Sequence, residues 1–195
     1  GLEPQRERWL EGQLRALECV TASLAGEDIA WADEVERQLG VRPTRTDTTF
    51  FEDVHRRLDD ALADGGTLRE RDNAWDERNA IPLDKVVPAL AKLRDVLGPR
   101  AHALAPMPAD ESVTYETVTD KPWVAYNWYQ GRYQSRVDVN ADLPISVALL
   151  TDLAAHEAYP GHHTERAAKE AHLLHDLGRA EMSVAIIYGP EALVS

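Results

Sequence analysis

Five of the seven histidines lie between His156 and His175, and three of them fall in the octet HEAYPGHH that begins at His156. An even scatter would put fewer than one there. His beside Glu is what a hydrolytic metal centre needs. Neutral imidazole nitrogens bind Zn²⁺, and a nearby carboxylate takes a proton from water. On a helix, two histidines four residues apart share a face. A Glu directly after the first is rotated by about 100°, so that it reaches the water and not the ion. His156-Glu157 begins in that way, but position 160 is Pro, which binds no metal. The next histidines come six and seven residues after His156. In an unbroken helix His163 would return to within about 20° of His156, about 10 Å further along the axis, and His162 would stand roughly 120° away.

Pro160 has no N–H for the carbonyl of His156, and Gly161 tolerates unusual dihedrals. A widened, π-like turn would absorb the two extra residues and bring His162 back to the side of His156. His156 is therefore the expected first metal ligand, His162 the favoured second ligand and His163 its close alternative. Glu157 is the candidate catalytic base and Zn²⁺ the expected cofactor. His172 and His175 read as solvated helix residues, and His55 and His102 as surface or satisfied histidines.

HEAYPGHH resembles the HExxPGHH motif of a bacterial family known as domain of unknown function 885, a relative of the gluzincin metallopeptidases of the thermostable-carboxypeptidase type. The resemblance is strongest from Asn140 to Glu165, and RYQSRVDVNADLP is similar to the strand and turn that lead into that family's motif helix. It aligns Gly161-His162 with the Gly-His of the HExGH form, which supports His162. It implies a mostly helical fold with a small sheet beside the active cleft. It also implies a third metal ligand, a Glu on a later helix. Among Glu165, Glu170, Glu181 and Glu191, the first two lie too close along the chain for a returning helix, and Glu181 stands 19 residues after His162. GPEALVS resembles the stretch that leads the family into a Glu-Gly pair, which places the expected Glu just beyond Ser195. The resemblance thus implies a longer parent chain.

The elements that must position these residues follow from apolar periodicity. Asp142 reads as the N-cap of the motif helix, with Pro144 in its first turn. Leu143, Val147 and Leu150 mark one face and Ile145, Leu149 and Leu153 another, so the helix should be buried. His156 and Glu157 in its last turn are costly there unless paired or metal-bound. A second helix should run from about Thr164 to Leu177 and end at Gly178. Ahead of the motif, SVTYETVT, WVAYNWY and RYQSRVDV predict three short antiparallel strands, the last two joined by a tight hairpin. Trp123, Tyr126, Trp128, Tyr129 and Tyr133 read as filling for a half-buried pleated surface.

Four helices are predicted upstream. The first carries Leu10, Leu14, Leu17 and Leu24 and closes at Gly26. The second carries Ala32, Val35 and Leu39 and closes at Gly40. The third opens on a capping box of Thr49 and Glu52, runs through Phe51, Val54, Leu58 and Leu62, and ends at Gly65-Gly66. The fourth follows Pro82, faces Leu83, Val86, Leu90, Leu93 and Leu97 inward, and stops at Gly98-Pro99. The predicted fold is mainly α (α+β). A helical part spans 1–110, and a sheet with the motif helices spans 111–195, together one continuous catalytic-type domain.

Thirty-four acidic against 21 basic residues leave a net charge of -13, with no basic block, so nucleic acid and anionic membranes are poor partners. The single Cys19 excludes an internal disulfide, and no apolar run approaches the roughly 20 residues that span a bilayer. The expectation is a cytoplasmic hydrolase acting on a peptide or small amide. The competing expectation is a catalytically silent helical domain that keeps the motif's packing for binding or structure.

Overall fold

A computed structural model describes residues 2–62, 65–184 and 188–193. The fold is mainly α with one small sheet. The chain forms two compact units, one of residues 1–48 with 184–195 and one of residues 49–183. Among the described residues no helix is long and apolar enough to cross a membrane.

The smaller unit holds α1 (Pro4–Leu24), α2 (Trp31–Leu39) and a 3₁₀ turn, Pro190–Leu193. The buried positions of α1 are Gly12, Gln13, Ala16 and Cys19, whereas the predicted face of Leu14, Leu17 and Leu24 is exposed. Small residues win because they allow close approach: a Cβ on Gly12 would sit 3.1 Å from the Pro190 ring. Trp9 Nε1 donates to Glu191 Oε1 at 2.8 Å on the same side.

The larger unit begins with α3 (Thr48–Ala61) and α4 (Leu68–Arg78). Thr49 lies inside α3, so the predicted capping box is not at its start. A reciprocal capping box does open α4, where Thr67 Oγ1 accepts from the Glu70 N–H and the Glu70 carboxylate accepts from the Thr67 N–H. Next comes α5 (Leu83–Leu104), which runs through Gly98-Pro99 instead of stopping there. Gly98 is buried against the Tyr159 ring, so packing overrides two local stop signals. Val86, Leu90 and Ala101 of α5 are buried, while Leu83 is exposed.

The sheet consists of β1 (Ser112–Val118), β2 (Ala125–Gly131) and β3 (Gln134–Asn140), in the order β1-β3-β2. It is mixed, not antiparallel throughout: β2 and β3 form the expected antiparallel hairpin, but β1 runs parallel to β3. The hairpin turns on Arg132 and Tyr133, both at positive φ (54° and 60°), as a type I′ turn requires and non-glycine residues seldom adopt. One face of the sheet puts Val113, Val137 and Val139 into the core. On the other, Tyr126 and Trp128 of β2 are 41% and 45% exposed and pack on each other at 4.6 Å, a half-buried aromatic pair on the outer face.

Then α6 (Val147–Leu153) continues into a π-helical turn, Ala154–Ala158. Its N-cap is Ser146, which accepts from the Leu149 N–H, while Asp142 instead accepts from the Asp120 N–H at 2.6 Å. After a break comes α7 (His162–Ala168), which continues as a second π-helical stretch, Lys169–Asp176, ahead of Gly178. Ile145, Leu150, Leu153, Ala154, Ala158 and Tyr159 complete the core with α5 and the sheet. Burying each of the larger apolar side chains contributes about 1.5–3 kcal/mol.

Candidate functional site

The helix that carries His156 ends in a way Pro160 dictates. In an α-helix the carbonyl of His156 would accept from residue 160, which has no N–H. The chain widens instead. The Tyr159 N–H reaches back five residues to Ala154 O at 3.2 Å, and the Gly161 N–H six residues to Ala155 O at 2.9 Å. The Tyr159-Pro160 peptide is cis. Gly161 then crosses so close to the preceding turn that an added Cβ would lie 1.9 Å from the carbonyl oxygen of His156. No side chain fits there.

This path brings His162 against His156, with ring centroids 4.6 Å apart at 78°. Two imidazoles sharing one tetrahedral zinc, at Zn–N of about 2.0–2.1 Å, would have centroids roughly 5 Å apart. Nδ1 of His162 is buried without a hydrogen-bond partner, which leaves a nitrogen lone pair or N–H unused. Burial, and then the neighbouring His156, lowers the His162 pKa below its ordinary value and so favours the neutral, ligating form. Both residues offer nitrogen donors of the type that zinc takes.

Glu157 follows His156 on the π-helical turn and is only 5% exposed. Burial raises its carboxyl above the ordinary range, against the opposing charge of His156. Its backbone carbonyl accepts from Asn127 Nδ2 of β2 at 2.6 Å, which ties the turn to the sheet.

His163 lies elsewhere. It is fully buried, and both ring nitrogens are engaged: Nδ1 with Ser135 Oγ at 2.8 Å and Nε2 with Glu111 Oε2 at 2.7 Å. Glu111 also accepts from Tyr159 Oη and from His102 Nε2. Burial alone would raise the Glu111 carboxyl, but these three hydrogen bonds outweigh it and hold the pKa down at about 2. A carboxylate with a depressed pKa stabilises the fold fully above its ordinary value and loses that contribution as pH falls through the lowered one. The gap in melting temperature between wild type and Glu111→Gln should therefore be full above pH 4.5 and close toward pH 2. A gap constant over that window in a pH series of thermal melts rules this linkage out.

The candidates for a third metal ligand are dispersed. Glu165 pairs with Lys169, Glu170 binds Tyr129 and the hairpin turn, and Glu191 bonds Trp9 in the smaller unit. Glu181 sits on the 3₁₀ turn Ala180–Ser183. Among the described residues no group of three or more His, Cys, Asp or Glu is gathered for a metal. A cavity of about 570 Å³, with Arg94, His102, Glu111 and Tyr159 in its wall, includes neither His156, Glu157 nor His162.

Asn127, Ser135, Glu111 and Tyr159 were not singled out from sequence for these contacts. Asn127 and Ser135 did leave a signal: each is a polar residue at an inward-facing strand position, and such a residue needs a buried partner. Glu111, 52 residues from His163, left none.

The chain matches no protein-family model, no curated protein and no solved structure at a significant level.

Proposed function

We propose that residues 156–162 form the His-Glu-His part of a zinc-dependent hydrolase centre of the peptidase type, acting on a peptide or small amide carbonyl. The meeting of His156 and His162 across the Pro160-Gly161 break carries this reading. His156 and His162 would hold the metal, which when bound supplies a Lewis acid and a more acidic water. Glu157 accepts the water's proton on its carboxylate and returns it to the leaving amine; its buried setting raises its pKa, the direction that general-base work requires. Asn127 holds the main chain of Glu157, and thus the direction of its side chain. β2 is an edge strand paired only with β3, so an extended substrate can add to its open side, beside Tyr126 and Trp128.

The second reading, a silent domain that keeps the motif for its packing, is favoured by the lack of a third gathered donor among the described residues. Zinc titration against a chromophoric chelator separates the two. The hydrolase reading expects one zinc per chain, at least tenfold weaker binding in His156→Ala and in His162→Ala, and full binding in Glu157→Gln. No zinc bound by the wild type supports the silent domain. In the zinc-loaded protein, Glu157→Gln should lower turnover of furylacryloyl-blocked dipeptides by about 100-fold or more, the scale of general-base catalysis. Retention of more than about a tenth of wild-type turnover removes Glu157 from the mechanism.

A further inference from the structure

Three side chains converge on Glu111, a carboxylate only 9% exposed in the connection between α5 and β1. Two of them, Tyr159 and His163, flank the segment Pro160-Gly161-His162. Both bond the same oxygen, Oε2, at 2.5 Å and 2.7 Å, and their rings meet at 5.2 Å and 78°. The third, His102, bonds Oε1 at 2.9 Å and fixes the carboxylate to α5. Ser135 of β3 holds the far side of the His163 ring. None of these groups takes part in the chemistry assigned above.

We propose that Glu111 is the positioning residue of the histidine pair. By holding Tyr159 and His163 on one oxygen, it fixes both ends of the segment that swings His162 against His156. Adjacent residues on a helix point about 100° apart, so anchoring His163 inward sets the rotation of the first turn of α7. His162, one residue earlier, is then directed out of the core toward His156. Without the carboxylate, Tyr159 Oη and His163 Nε2 are buried groups lacking a partner, and the segment rearranges to satisfy them. This inference rests on the reading of His156 and His162 as zinc ligands, but the placement of the two rings can be measured without metal.

The experiment compares wild type, Glu111→Ala, Glu111→Gln, Tyr159→Phe and a core control, Val86→Ala. Each is assayed for zinc affinity by chelator competition, for thermal stability, and, without metal, for the nuclear Overhauser effect between the His156 and His162 ring protons. Glu111→Ala should bind zinc at least tenfold more weakly and lose the inter-ring effect. Tyr159→Phe, which removes one anchor and should remain folded, should weaken zinc binding about threefold. In Glu111→Gln the amide oxygen can still accept from Tyr159 and His163, and affinity should return to within about threefold of wild type. Val86→Ala should lower the melting temperature and leave zinc affinity unchanged, as a purely structural effect would. If Glu111→Ala does not fold, Tyr159→Phe decides. Unchanged zinc affinity and an intact inter-ring effect in the Glu111 and Tyr159 variants overturn the proposal while leaving the zinc reading in place. Failure of the wild type to bind zinc, with the inter-ring effect lost in Glu111→Ala, overturns the zinc reading and keeps Glu111 as the residue that positions the pair.

Discussion

Replacing Gly161 with alanine should lower the melting temperature steeply and separate His156 from His162. The new Cβ would lie 1.9 Å from the His156 carbonyl oxygen and 2.4 Å from that of Ala155. Both obstacles are backbone, so no side-chain rotation relieves the clash and the widened turn must open. Displacing a buried turn of this kind costs about 3 kcal/mol or more, which in a chain of this length lowers the melting temperature by roughly 6–12 °C. Zinc binding should fall with it. Gly98→Ala is the control. There the new Cβ would meet the Tyr159 ring at 3.8 Å, an ordinary contact, inside the helix α5. That substitution should be neutral or stabilising by up to about 1 kcal/mol, since alanine suits a helix interior better than glycine. Equal losses in the two variants would contradict the close approach at Gly161.

His162→Ala and His163→Ala should fail in opposite ways. His163 is fully buried, and its removal leaves Ser135 and Glu111 without a partner around a new cavity. The expected loss of stability is about 3–5 kcal/mol, from unpaired buried groups and lost packing together. His162 is only partly buried, with a ring nitrogen, Nδ1, that bonds nothing, so its removal should change stability by less than about 1 kcal/mol. The zinc result should differ in degree: His162→Ala loses metal, whereas the folded fraction of His163→Ala, which keeps both ligands but loses one anchor of the segment, binds it only a few-fold more weakly. Thermal melts and zinc titration of both variants give four numbers. A stable His163→Ala that no longer binds zinc, beside a His162→Ala that still does, would exchange the two assignments.

What the sequence reveals here is local chemistry, and what it hides is contact over distance. The widened turn follows from one missing N–H at Pro160, so the return of His162 to His156 was readable without coordinates. The partners that hold His163 away from that pair were not, because Ser135 and Glu111 lie 28 and 52 residues from it. The hairpin of β2 and β3 was readable from its short turn. The parallel pairing of β1 with β3 was not, since nothing in a strand's own residues states which partner or direction it takes. Local stop signals misled where packing outweighed them, as at Gly98-Pro99 in α5. Capping chemistry at Thr49 and at Thr67 looks alike in one dimension, yet only Thr67 has the N-cap geometry that uses it.

The hairpin turn has a consequence for the order in which the chain folds. Arg132 and Tyr133 occupy a left-handed turn without the Asn-Gly chemistry that makes such turns form by themselves. Their amides are held from outside: the Glu170 carboxylate accepts from the Arg132 N–H at 3.1 Å and the Tyr133 N–H at 3.4 Å, and Tyr129 Oη donates to it as well. Glu170 stands 37 residues beyond Tyr133, past the whole motif. The turn between β2 and β3 therefore draws part of its support from a carboxylate 37 residues downstream of Tyr133. On a ribosome, that support could reach the hairpin only after the chain around Glu170 had emerged, so the sheet beside the candidate site is braced by a segment synthesised after it.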